Sequence, residues 1–144
     1  MVVGMMHRFT IEVQTDGNSA VVNLSPELAR KLRDLRELRG PAMAFLFVVG
    51  STAALTTLEY EPGLVKHDLP ALLQRLIPDD ARYEHEATWN DDNGHSHLRS
   101  ALIGSSLAVP LADGKPLTGE YQQVVLIDFD TRPRRRTVIV TVMQ

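Results

Sequence analysis

Three of the five histidines in this chain, His85, His95 and His97, fall within one short window. Glu84, Glu86, Asp91 and Asp92 crowd the same stretch, and residues 90–100 read NDDNGHSHLRS. Neutral imidazole is the commonest nitrogen ligand for zinc and related ions, and carboxylates complete such sites. The chemistry on offer is therefore a divalent-metal site ligated by His85, His95 and His97. One geometric condition applies. Residues two apart diverge by about 200° on a helix, so His95 and His97 meet one ion only if His95 precedes the helix. The competing reading is a solvated loop in which Asp92 or Asn93 caps a helix.

Three further groups carry possible chemistry. Gly50, Ser51 and Thr52 place a glycine and two hydroxyls between β-rich stretches, where backbone amides can face an anion; a β-bulge is the alternative. Glu59 and Glu61 flank Tyr60 and offer a ligand or a general base, or else simple surface charge. Arg132, Arg134, Arg135 and Arg136 suit phosphate recognition. If they lie on a strand, Arg134 and Arg136 share one face and Arg135 takes the other. Protection of a sheet edge is the alternative there.

The elements that must position these groups can be read from periodicity. HRFTIEVQ alternates apolar residues at Phe9, Ile11 and Val13, and predicts a half-buried strand; DGNS then turns the chain into AVVNL. Ser25-Pro26-Glu27 predicts a helix start with Ser25 as cap, and Leu28, Leu32, Leu35 and Leu38 continue it to Gly40. AMAFLFVV is a continuous apolar run, expected to be a strand buried on both faces. STAALTTLE continues as β structure. LVKHDLPALLQRLI predicts a helix in which Pro70 marks a kink or a new start at Asp68. Residues 78–93 read as irregular, and Gly94–Ile103 as a short helix closed by Gly104. SLAVPLA, YQQVVLIDFD and RRTVIVTVM read as strands separated by turns. The apolar strands exceed what two short helices can cover, so a second sheet layer or a subunit interface must cover the rest.

Composition bounds the answer. The 144 residues make one domain, 1–144, with room for a substantial core. A net charge of −3 gives no reason to expect nucleic acid or an anionic membrane as partner. The absence of cysteine removes disulfides and thiolate sites, and fits a cytoplasmic location. The opening MVVGMMHRF is too short an apolar run for a signal peptide, and PAMAFLFVVG is too short to span a membrane.

Several pieces, in order, resemble the YjbQ family, also called UPF0047, whose members carry the label secondary thiamine-phosphate synthase. STAALT at 51–56, VKHD at 65–68, YEH at 83–85, DDNGHSHLR at 91–99, SSLAVPLADGKPLTGEYQQ at 105–123 and the terminal arginines each resemble a family segment. The chain departs from the pattern at three places. Gly50 stands where the family has histidine, Glu120-Tyr121-Gln122 stands for Thr-Trp-Gln, and Arg99 stands for lysine.

The resemblance implies an α+β fold of mostly antiparallel sheets, packed as a sandwich with two or three helices and assembling as a homotrimer. It implies an activity on a small phosphorylated molecule, with a phosphoester hydrolase or a non-catalytic trimer as the other options. A divalent cation, zinc or magnesium, would stabilise charge on a leaving diphosphate. His97, Glu59 and Asp92 are then the expected catalytic groups, with Asp68 as a supporting acid and His95 replacing the ligand lost at Gly50. Ser51, Thr52, Asn93, Arg99, Gln122 and Arg135 are the expected phosphate contacts.

Overall fold

The computed structural model describes residues 4–144, so the first three residues of the MVVGMMHRF reading lie outside it. Eight strands and four helices follow in the order β1 (Met6–Thr15), β2 (Ala20–Asn23), α1 (Ser25–Asp34), β3 (Pro41–Val48), β4 (Ala53–Glu59), α2 (Leu69–Leu76), α3 (Glu84–Trp89), α4 (Gly94–Ile103), β5 (Ser106–Ala112), β6 (Lys115–Pro116), β7 (Gln122–Asp128) and β8 (Arg134–Met143). A π-helical turn, Leu64–Asp68, runs directly into α2. The larger sheet has the order β1-β8-β3-β5-β6 and the smaller has β2-β7-β4, and all their pairings are antiparallel. The expected α+β architecture is present, with four helices rather than two or three.

The molecule is layered. Alternate residues of β1, β3, β5 and β8 face alternate residues of β4 and β7, and Leu28 and Leu32 of α1 close one end of this core. The opposite face of the smaller sheet buries Ala54, Val125, Ile127 and Phe129 against Leu69 and Leu73 of α2 and Ile103 of α4. Strand β7 is thus apolar on both faces because both are covered, one by a sheet and one by helices.

Strand β3 was expected to be covered on both faces and is not. Ala44, Leu46 and Val48 point into the core, while Phe45 and Phe47 stand exposed on the outer face of the larger sheet. The second sheet layer covers one side of this apolar run, and among the described residues nothing covers Phe45 and Phe47 on the other.

Local chemistry accounts for three more differences, and for the start of α2 after Asp68. Ser25 does not cap α1: its hydroxyl accepts from the Val124 amide at 2.8 Å and ties the helix to β7, while Asn23 Oδ1 accepts from the Ser25 amide at 3.0 Å. The helix stops at Asp34 because the chain tightens, with Leu35 N bonding Leu32 O and Leu38 N bonding Leu35 O, so Leu38 reaches the core from a turn. Pro70 sits in the first turn of α2, where its missing amide costs least, and the wider π turn before it keeps the chain helical. Residues 78–93 are not wholly irregular: Glu84–Trp89 is helical and ends at Asn90, which takes a left-handed conformation.

Candidate functional site

Helix α4 lies against the smaller sheet, held by two hydroxyls. Ser100 Oγ donates to Ala53 O at 2.7 Å, and Ser96 Oγ donates to Phe129 O. This anchoring fixes where its other residues point. Gly94, at the first turn, allows Tyr83 to pack directly on the helix; a Cβ there would meet Tyr83 Cβ at 2.5 Å. Helix α3 follows Tyr83 and lies beside α4, which brings His85 onto His97. Their ring centroids are 4.4 Å apart and their planes 52° apart.

Asp91 completes one side of the pair, with its Oδ2 3.4 Å from His85 Nε2. Ser51, in the crossover from β3 to β4, lies beside the His97 ring. Burial and the neighbouring His85 push the His97 imidazole below its ordinary value, against the opposite pull of Asp91 and Asp130. The shift favours the neutral imidazole, the state in which a ring nitrogen can accept a proton or a metal.

Behind this pair lies a buried ionic network. Arg136 Nε and Nη2 donate to the two oxygens of Asp128, each at 2.7 Å, and Nη2 also donates to Thr52 Oγ1 at 2.7 Å. Thr15 donates to Asp128 at 2.6 Å. Thr52 donates to Asp130 Oδ2 at 3.0 Å, and Arg134 Nε donates to the same oxygen at 2.9 Å. Burial raises the Asp130 carboxyl, but hydrogen bonds from Arg134 and Thr52 and the charges of Arg134 and Arg136 outweigh it and hold it below the usual range.

The structure brings some expected site residues together and parts others. His85, His97, Asp91, Ser51 and Thr52 form one neighbourhood. Asp92 is exposed at its rim, bonded to Thr131 Oγ1 at 2.8 Å and 3.7 Å from Arg132 Nη2. Asn93 begins α4, with its carbonyl accepting from the Ser96 amide and its side-chain oxygen buried and unpaired.

His95 does not join. It is the second residue of a regular helix, so it diverges from His97; it lies near the Tyr83 ring, at 6.3 Å, with its Nδ1 buried and unpaired. It does not stand in for the histidine that the family pattern has at Gly50. Among the described residues no three His, Asp or Glu side chains group closely enough to hold a metal ion. The donor set within one chain therefore does not fit a three-histidine site.

Arg99 is buried and committed elsewhere. Its guanidinium donates to Ile77 O, Gln74 Oε1 and Ser19 Oγ, closing the C-terminal end of α2. Arg135 faces away from the network and pairs with Glu12 at 3.1 Å on the outer face. Glu59 and Gln122 pair in register at the far end of β4, about 20 Å along the strand from Thr52. Asp68 is exposed at the end of the π turn.

Asp128 and Asp130 were missed as site residues, and of the candidate arginines it is Arg136, not Arg135, that faces them. A signal for them existed: acids at alternate positions closing an apolar strand (VVLIDFD), then arginines at alternate positions opening the next (RPRRR). On antiparallel strands joined by a turn, two such pairs face each other.

Comparison with known proteins agrees with this architecture. The family model described as UPF0047 protein YjbQ-like matches residues 9–144. A UPF0047 protein of Methanocaldococcus jannaschii is 29% identical over 143 residues, covering 99% of this chain and 97% of its own. The YjbQ protein of Escherichia coli O157:H7 is 29% identical over 118 residues, covering 82% and 84%. A crystal structure of a hypothetical protein from Aeropyrum pernix superposes with a TM-score of 0.83 at 25% identity, over 93% of this chain and 96% of that one. No helix among the described residues is long and apolar enough to cross a membrane.

Proposed function

The chain belongs to the YjbQ-like UPF0047 family, and on that footing we propose that it is an enzyme acting on a small phosphorylated molecule, with His97 as the proton-transferring group. The observation that carries this reading is the His85–His97 pair, its ring centroids 4.4 Å apart beside the β3–β4 crossover, where burial and His85 hold the His97 imidazole below its ordinary value. A histidine held neutral near pH 7 accepts a proton from an attacking water or hydroxyl, then returns it to a leaving group. Asp91 orients His85, and His85 in turn fixes the His97 ring.

Hydrolysis of a phosphoester fits this description in full. Transfer with loss of diphosphate, as the thiamine-phosphate synthase label states, has a thiazole nitrogen with no proton to give up as its nucleophile, so there His97 would contribute only a hydrogen bond to the leaving diphosphate. The exposed outer face of the larger sheet, with Phe45, Phe47 and Met143, supports assembly of the chain with copies of itself as a homotrimer.

The test is a pair of product assays on wild type and His97→Ala. Pyrophosphate released only when a pyrimidine diphosphate and a thiazole phosphate are both present identifies the transferase. Phosphate released from a phosphoester alone identifies the hydrolase. Activity that survives His97→Ala unchanged, or no product in either assay, removes the reading.

A further inference from the structure

Arg136 is 7% exposed, and its hydrogen bonds are unevenly distributed. Nε and Nη2 are occupied by Asp128 and Thr52, whereas Nη1 has no acceptor among the described residues and is not among the buried unpaired atoms. A guanidinium carries five N–H donors in a fixed plane, so an unused Nη1 leaves two of them free. Nη1 lies against Gly50. A Cβ built on Gly50 would lie 2.9 Å from Nη1, closer than real Cβ contacts allow. Arg136 cannot swing aside cheaply, because three bonds hold it to partners that are themselves buried.

We propose that Gly50 is a window onto Arg136, and that Nη1 binds one oxygen of a small oxyanion, a phosphate or a carboxylate, beside His97. The inference rests on the preceding reading and names the group that recognises the substrate's anionic end.

Charge and position support it. Asp128 and Asp130 balance Arg136 and Arg134, so the network as a whole is neutral and does not draw anions by net charge. Recognition instead comes from directed donors on a rigid guanidinium, which discriminate by geometry. Gly50 itself is exposed, with φ at +119°, and the next residue, Ser51, lies beside His97. Asp130, 3.6 Å from Arg136 Nη2, also acts on the His97 ring, so an oxyanion on Nη1 is on the His97 side of the network. Any side chain at position 50 closes the window, which makes Gly50 a specificity-determining position.

The experiment uses inorganic phosphate and acetate as separate probes. Binding is followed by NMR of the Arg136 guanidinium in wild type and by titration of Gly50→Ala and Gly104→Ala. Gly104 is the control: its φ is +106° and a Cβ there meets nothing within 4 Å, so alanine pays a similar backbone strain without touching Arg136. The expected result is that phosphate, acetate or both shift the Arg136 resonances. Binding should survive in Gly104→Ala and weaken roughly tenfold or more in Gly50→Ala, as loss of a charge-assisted hydrogen bond requires. A response to phosphate alone identifies phosphate as the source of the oxyanion, and a response to acetate alone identifies a carboxylate.

Two results overturn the proposal: Gly50→Ala binding the anion as wild type does, or no shift of Arg136 with either ion. The wild-type spectrum decides even if Gly50→Ala does not fold. Anion binding at Arg136 without turnover would sink the enzyme reading and leave this one standing. Turnover without a shift at Arg136 would do the reverse.

Discussion

The imidazole rings of His85 and His97 face each other at 4.4 Å although they belong to different helices, α3 and α4. His95, two residues from His97 in sequence, is turned toward Tyr83 instead. The pair predicts unequal effects of three similar substitutions. His97→Ala removes the proton acceptor and should lower turnover about a hundredfold or more, the usual scale of general acid–base assistance. His85→Ala should lower it less, because it frees the His97 ring without deleting it. His95→Ala should leave turnover within a few-fold of wild type and act on stability. Steady-state rates with a phosphoester or diphosphate substrate separate the three.

Acid should weaken the fold through two histidines. His95 and His97 are both pushed below the ordinary value of 6.5, His95 by burial and then by Arg99, His97 by burial and then by His85. In this situation the unfolded chain binds protons that the folded chain refuses. Stability is then full above about pH 6.5 and declines as pH falls toward the lowered folded-state values. Thermal melts from pH 7.5 to 5 should show that decline, and His95→Gln should flatten it. A melting temperature that rises as pH falls from 7 would contradict the assignment.

The arginines near the C-terminus separate by face. Arg136→Ala leaves the buried Asp128 carboxylate without its counter-ion, which costs about 3–5 kcal/mol for such a pair. Arg135→Ala removes only a surface contact with Glu12 and should change stability by no more than about 0.5 kcal/mol. Urea titration of both variants checks the contrast.

Arg99 is structural in this chain. Its loss strands the Ile77 carbonyl and Gln74 inside the α2–α4 contact, so Arg99→Ala should cost about 2–3 kcal/mol. Phosphate affinity measured below the melting temperature should not change. A selective loss of phosphate binding with unaltered stability would return Arg99 to the site.

The exposed apolar face of the larger sheet should be an interface. Phe47→Asp places a charge there without disturbing the inward residues Leu46 and Val48. Light scattering after size exclusion should give three chains for wild type and one for the variant. A monomeric wild type would leave that face unexplained.

Much of this arrangement was legible in the sequence, because strand alternation and glycine-terminated helices are local signals. The helix Gly94–Ile103 and the closing strands came from such patterns. The site was only half legible. The i, i+2 spacing of His95 and His97 carried its own warning, since a regular helix parts them, and the structure realises that objection. Alternation likewise placed Arg134 and Arg136 on one face and Arg135 on the other, but did not say which face held the site. That depended on Asp128 and Asp130 arriving from the neighbouring strand, a tertiary fact. Arg99 misled for a similar reason: a lone arginine beside histidines looks like an anion ligand until the carbonyl it caps, on α2, is seen. Helix α3 escaped notice because it buries no residue and so leaves no apolar period.

The most direct measurement is a histidine-selective NMR titration of wild-type protein against pH, with and without inorganic phosphate. His7 and His67, remote in sequence from the pair, serve as internal references. His97 should titrate below its ordinary 6.5, and phosphate should move the His85 and His97 resonances while leaving His95 in place. Titration of His97 at or above 6.5, or a pair left unmoved by saturating phosphate, would contradict His97 as the proton-transferring group of an anion-binding site.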